Sequence, residues 1–204
     1  MPTNLAPVTR NLLIANVIVY LLQMWKPAML APFALWPLGS GAFEPWQIVT
    51  SAFMHSGLPH IFFNMFALYM FGGQIERLFG ARNFTIYYFT CAIVASVLQL
   101  LVLRYIEQDF QTPTLGASGA VFGLLLAFGM MYPRERLILF PVPIPIPAWL
   151  FVTGYGLIEL FSGVTGWAPG VAHFAHLGGM LGGFLLIQYW RGKFPIKPSR
   201  QLLR

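Results

Sequence analysis

Apolar residues run through this chain in six blocks separated by short polar or proline-rich breaks. The blocks cover approximately residues 11–25, 58–75, 84–103, 117–131, 147–161 and 171–190. A bilayer core is crossed by a helix of roughly 17–25 mostly apolar residues, so the first and fourth blocks are short for a span and the fifth is marginal. The pattern predicts an all-α membrane protein built as a bundle of six transmembrane helices. Residues 1–10 then form a short cytoplasmic N-terminus, 11–190 the six-span domain and 191–204 a basic cytoplasmic tail.

The stretch between the first two blocks breaks the rhythm. Residues 26–57 hold Pro27, Pro32, Pro37 and Pro45 among Phe33, Trp36, Phe43 and Trp46. This is too apolar for a solvated loop and too broken for a span, so a partly membrane-embedded element is expected, with its tryptophans at headgroup level. The later run Pro141, Pro143, Pro145 and Pro147 predicts an extended, stiff connector.

Composition supports the membrane reading: 57% of residues are hydrophobic and only 9% charged, against about 25% charged in soluble domains. Charge then sets the orientation. With the N-terminus inside, the inner segments hold Arg10, Arg77, Arg82, Arg134, Arg136, Arg191, Lys193, Lys197, Arg200 and Arg204; the outer ones hold only Lys26 and Arg104. This is the positive-inside bias. The net charge of +6 therefore reflects topology and contact with anionic lipid, and no basic-aromatic pattern points to nucleic acid. Residues 11–25 lack the flanks of a cleaved leader and are read as a span. The single cysteine, Cys91, lies in an apolar block and excludes an internal disulfide framework.

Polar groups inside such blocks are costly and mark candidate chemistry. Ser118 stands in Gly116-Ala117-Ser118-Gly119-Ala120, at the start of the fourth block. A helix start offers free backbone N–H groups to a developing anion. Pro133 marks the inner end of that block, which puts Ser118 about 22 Å higher at 1.5 Å per residue. In a core of about 30 Å it lies roughly 8 Å below the outer edge. Residues 112–116 must dip inward to reach it, which is tolerated only where backbone lines protein or a wet cavity. In the sixth block His176, Gly179 and Gly183 share one helix face. That face can seat against Gly119 and Gly123, which would bring an imidazole to the serine, a group that needs a base to become a nucleophile; taken singly, the Gly-Ala-Ser-Gly-Ala run also reads as helix-packing surface and the histidine as a packing or relay residue. In the second block His60 and Asn64 share a face, with His55 ahead of them and Ser56 as candidate helix cap. Glu76 with Arg77 suggests an inner-side network; Glu159, near the outer end of the fifth block, has no partner legible in the sequence.

Together these residues resemble the rhomboid family of intramembrane serine proteases in its minimal six-span bacterial form. The resemblance runs from about Trp46 to Gly183. It rests on Trp46, on His55, His60 and Asn64 in an H-x4-H-x3-N pattern, on Glu76, on Gly116-Ala117-Ser118-Gly119, and on His176 with Gly179 and Gly183. It implies a Ser118–His176 dyad without an acid, and an oxyanion site from His60, Asn64 and backbone around Gly116, Ala117 and Ser118. His55, Trp46, Phe122, Gly179, Gly183, Glu76 and His173 would support it. The implied substrates are transmembrane segments of other proteins, cut near their outer ends. The implied place is a bacterial inner membrane, with both termini cytoplasmic and the site opening outward. No cofactor or metal is implied. Two positions depart from the common pattern: Gln47 follows Trp46 where arginine is frequent, and Phe122 stands where tyrosine often stacks on the imidazole.

Other chemistries fit less well. Asp109 is the sole aspartate, which excludes a two-aspartate protease. No H-E-x-x-H occurs and no carboxylate adjoins a histidine in sequence, so a zinc site is not expected. A non-catalytic scaffold would typically lack the serine or histidine, and a small transporter would show an internal repeat or mid-depth carboxylates.

Overall fold

The computed structural model describes residues 5–138, 144–196 and 198. The first helix, Pro7–Trp25, starts on a proline whose missing N–H costs nothing at that position. The second apolar block is not one smooth helix: Leu58–Ala67 passes through a π-helical turn, Leu68–Gly72, into Gly73–Phe79. Gly80 then turns the chain into the long helix Ala81–Val102. Ser118–Met131 (the serine helix), Ala148–Thr165 (the glutamate helix) and His173–Trp190 (the histidine helix) follow. Among the described residues, three helices are long and apolar enough to cross a membrane: Pro7–Trp25, Ala81–Glu107 and Ala148–Thr165. Ser118–Met131 is apolar but shorter.

The core forms around the long helix, where Phe84, Tyr87, Tyr88 and Cys91 are fully buried. The serine and histidine helices cross beside it so closely that a Cβ on Gly179 would overlap the backbone of Gly119. Only glycine fits at such a crossing. Tyr87 completes the joint, its hydroxyl donating to the carbonyl of Gly123 over 2.7 Å.

Two peripheral helices are held by carboxylates. The glutamate helix buries only Ala148, Val152, Glu159 and Ser162. The first helix buries Thr9, Leu12 and Asn16, and Glu76 sits at its N-terminal end. Glu76 accepts from the backbone N–H of Val8 (2.9 Å) and Thr9 (2.7 Å) and from the Thr9 hydroxyl (2.8 Å). An anion there satisfies orphan donors and meets the positive end of the helix dipole. The expected Glu76–Arg77 network thus involves the first helix instead.

Residues 26–57 fold into four short helical turns, Pro27–Leu30, Ala31–Phe33, Gln47–Thr50 and Ser51–Phe53. Gln47 organises them. Its Nε2 donates to the carbonyls of Ala42 (2.9 Å) and Pro32 (3.0 Å), while its Oε1 accepts from the N–H of Trp36 (3.0 Å). Of the proline run, Pro141 and Pro143 lie outside the described residues. Pro145–Pro147 pairs antiparallel with Arg136–Ile138 in a two-stranded ribbon, where a proline can take an edge position.

Candidate active site

Ser118 is the first residue of its helix, with Ala117 buried beneath it. The segment leading to it is extended rather than helical, so its backbone groups need partners elsewhere. The 26–57 region supplies them. Leu35 and Thr114 exchange two N–H···O bonds of 2.9 Å, and the N–H of Gly116 donates to Ser51 O over 2.9 Å. Gly116 has φ +131°, a conformation reserved for glycine, and a Cβ there would meet the His60 ring at 2.7 Å. The serine therefore stands on a backbone shelf that another region of the chain holds in place.

His176 approaches from the facing helix. Its Nε2 lies 2.9 Å from Ser118 Oγ, a hydrogen-bonding distance for a nucleophile and its base. The ring lies flat against Phe122, with centroids 4.1 Å apart and planes 7° from parallel. Glycine pairing at the crossing makes this approach possible, since Gly179 and Gly183 follow His176 on the same face.

His176 also has a carboxylate neighbour, a contact that the expected serine–histidine dyad does not include. Glu159 Oε2 lies 2.9 Å from His176 Nδ1 and 2.6 Å from His173 Nδ1. Nε2 of His173 faces the carbonyl of Ala168 at 3.1 Å. The donor atoms of Glu159, His173 and His176 all lie within 4.8 Å of one another, as metal ligands would. A carboxylate thus does adjoin histidines, in space though not in sequence. The contact escaped sequence reading because Glu159 belongs to a different helix, with no fixed spacing to reveal it.

His60 completes the front of the site. Its Nδ1 accepts from the N–H of Ser56 (3.3 Å) and lies 3.0 Å from the Ser56 hydroxyl. That assignment leaves the proton on Nε2, which lies over Gly116 and can donate there. Ser56 makes no capping bond to the helix that follows; the expected cap serves His60 instead. Asn64 is buried one turn along and donates to His60 O over 3.0 Å. His55 stands edge-on to His60, 5.0 Å between centroids, and Gln23 of the first helix grips its backbone at both N–H (2.9 Å) and C=O (3.1 Å). Burial, with His60 beside it, lowers the His55 pKa to about 4, so this loop imidazole is neutral at pH 7. Trp46 is half-exposed and donates to Pro32 O over 3.4 Å, a long contact.

Behind the serine lies a cavity of about 20 Å³, bordered by Ser51, Ser96, Gln99, Thr114 and Ser118. One water needs roughly 10–15 Å³ on this measure. Gln99 is 4% exposed, and its Oε1 has no hydrogen-bond partner among the described residues.

Residues 42–192 match the Rhomboid domain family. Among similar proteins, Rhomboid protein 1, mitochondrial, of Saccharomyces cerevisiae is 34% identical over 146 residues, covering 68% of this chain and 40% of the yeast protein. Rhomboid protease GlpG of Klebsiella pneumoniae is 28% identical over 183 residues, 83% of this chain and 62% of its own length. Rhomboid protease GluP of Bacillus subtilis is 28% identical over 144 residues, covering 69% of this chain and 25% of that protein. The chain thus spans less than two thirds of each of these three relatives. A family match across most of the chain, over the region that carries the serine, the four site histidines and the glycine crossing, makes this protein a membrane-embedded member of the rhomboid family.

Proposed function

We propose that the protein is an intramembrane serine endopeptidase that hydrolyses peptide bonds in or near transmembrane segments of membrane-protein substrates. The observation that carries this reading is the 2.9 Å contact between His176 Nε2 and Ser118 Oγ. His176 takes the serine proton as Oγ bonds to the scissile carbonyl carbon; the proton then passes to the leaving amine as the peptide bond breaks. The acyl-enzyme is released when water attacks with His176 again as base, and the cavity beside Ser118 is a fitting place for that water.

The oxyanion formed in each half-reaction is assigned to the Ser118 N–H, to His60 Nε2–H and to Asn64, with Gly116 and Ala117 shaping the backbone around them. Preformed donors at the site of developing charge supply a large share of acyl-transfer catalysis. Small neighbours leave room for an extended substrate backbone beside the shelf at Thr114 and Gly116. The chain is read as six spans with both termini inside and the site opening to the outer side. The minimal family form implies a bacterial plasma membrane, although the relatives it matches include mitochondrial proteins.

The test is cleavage of single-span substrates in proteoliposomes, with labelling by a serine-directed fluorophosphonate. Ser118→Ala and His176→Ala are each expected to lose turnover and labelling while melting close to wild type, because members of one catalytic unit fail together. A metal chelator is expected to leave the rate unchanged. Turnover retained in Ser118→Ala would sink the reading. Turnover lost on chelation and restored by zinc would move the chemistry to the Glu159, His173 and His176 cluster.

A further inference from the structure

Glu159, His173 and His176 meet at a single oxygen, and counting protons there leads further. The count rests on the serine-protease reading above. To accept the Ser118 proton, His176 must be neutral with its hydrogen on Nδ1. That Nδ1–H donates to Glu159 Oε2 across 2.9 Å. His173 faces the Ala168 carbonyl with Nε2, and a carbonyl only accepts, so Nε2 carries a hydrogen. Its Nδ1 lies 2.6 Å from the same Glu159 oxygen. Two lone pairs at that distance repel, so one more proton must lie between them. Whether it rides on nitrogen or on oxygen, the Glu159–His173 pair is neutral as a whole. This is how a carboxylate is kept in a buried site without an uncompensated charge.

We propose that Glu159, holding one shared proton with His173, is the positioning carboxylate of the site. It fixes the tautomer and orientation of His176 and supports the imidazolium formed as Ser118 attacks. The step balances without a further reagent: the Ser118 proton moves to His176 Nε2 while Oγ bonds to carbon. The proton between His173 and Glu159 shifts toward His173 as His176 becomes positive, so the full carboxylate charge appears when it is needed. His173 is thus a positioning residue acting through Glu159, and it is tied to Ala168 just ahead of its own helix. Glu159 comes from the glutamate helix, which buries few other residues. The carboxylate therefore also fixes where that helix stands against the histidine helix.

The experiment uses the full chain in proteoliposomes, with kcat and KM measured separately for Glu159→Gln and Glu159→Asp and thermal unfolding followed for both. Glu159→Gln keeps the shape but lets an amide N–H turn toward Nδ1, which selects the wrong tautomer. The expected result is a fall in kcat of roughly 10²–10⁴-fold, as seen when the carboxylate of a serine-protease triad becomes an amide. KM should stay within a few-fold. Glu159→Asp, which restores the charge on a shorter arm, should recover part of kcat. A merely structural role would move stability and KM and would give Asp no advantage over Gln. If Glu159→Gln melts early, Glu159→Asp decides: lowered kcat at near-wild-type melting temperature and KM supports the proposal. Wild-type kcat in either folded variant overturns it. Should Ser118→Ala be inactive while Glu159→Gln is fully active, only this inference falls; turnover in Ser118→Ala removes the reading beneath it.

Discussion

Phe122 is where the packing of the site can be separated from its chemistry. The His176 ring rests on one face of Phe122, and Tyr155 of the glutamate helix stacks on Phe122 in turn, at 5.1 Å and 24°. Phe151 extends the stack at 5.6 Å. Aromatic contacts of this kind contribute about 0.5–1.5 kcal/mol beyond area burial. They hold a plane in place and need no hydroxyl. Phe122→Tyr is therefore expected to cleave within a few-fold of wild type. Phe122→Ala should lose clearly more, because the imidazole gains freedom and the core gains a cavity; a buried Phe→Ala change costs about 3–5 kcal/mol. Cleavage rates read beside circular dichroism and melting curves separate lost orientation from lost fold. An active, stable Phe122→Ala enzyme would make Phe122 ordinary packing.

At the scale of elements, the residues on one helix face were legible in advance and those between helices were not. The spacing of His60 with Asn64, and of His176 with Gly179 and Gly183, follows from helix geometry alone. Glu159 obeys no such spacing, because its partners lie across a helix–helix contact. Gln47 was visible only as a departure at its position, yet it makes three bonds that hold its loop. The π-helical turn at Leu68–Gly72 left no mark on the hydrophobic pattern, since both sides of the turn remain apolar. Glu76 is the element-scale case with a measurable outcome. It provides three hydrogen bonds to a helix with few buried side chains, and each hydrogen bond to a charged group contributes about 1.5–3 kcal/mol. Glu76→Ala should lower the melting temperature and expose the first helix to proteolysis, because buried N–H groups lose their acceptor. Glu76→Gln, which keeps an acceptor, should do so less. Equal stability in wild type and Glu76→Ala would show that the first helix is held by packing alone.

For the molecule as a whole, topology rests on the charge pattern and on helices that differ widely in length and apolarity. The orientation can be measured directly, because Cys91 is fully buried and leaves little labelling background. On the six-span reading, a cysteine replacing the exposed Gln111 is expected to react with an impermeant thiol reagent applied outside. A cysteine replacing Lys193 should react only after the membrane is opened. The reverse pattern would invert the topology, and equal labelling of both would place them on one side.

The shelf under Ser118 has a bearing on how the protein is made. Leu35 and Ser51, which hold Thr114 and Gly116, are synthesised well before the serine, and His176 well after it. At translation rates of about 5–20 residues per second, several seconds separate the synthesis of Ser118 from that of His176. Only when the histidine helix docks, glycine against glycine, does the hydroxyl meet its imidazole. On the proposed serine-protease reading, cleavage by a new chain therefore cannot begin before that docking.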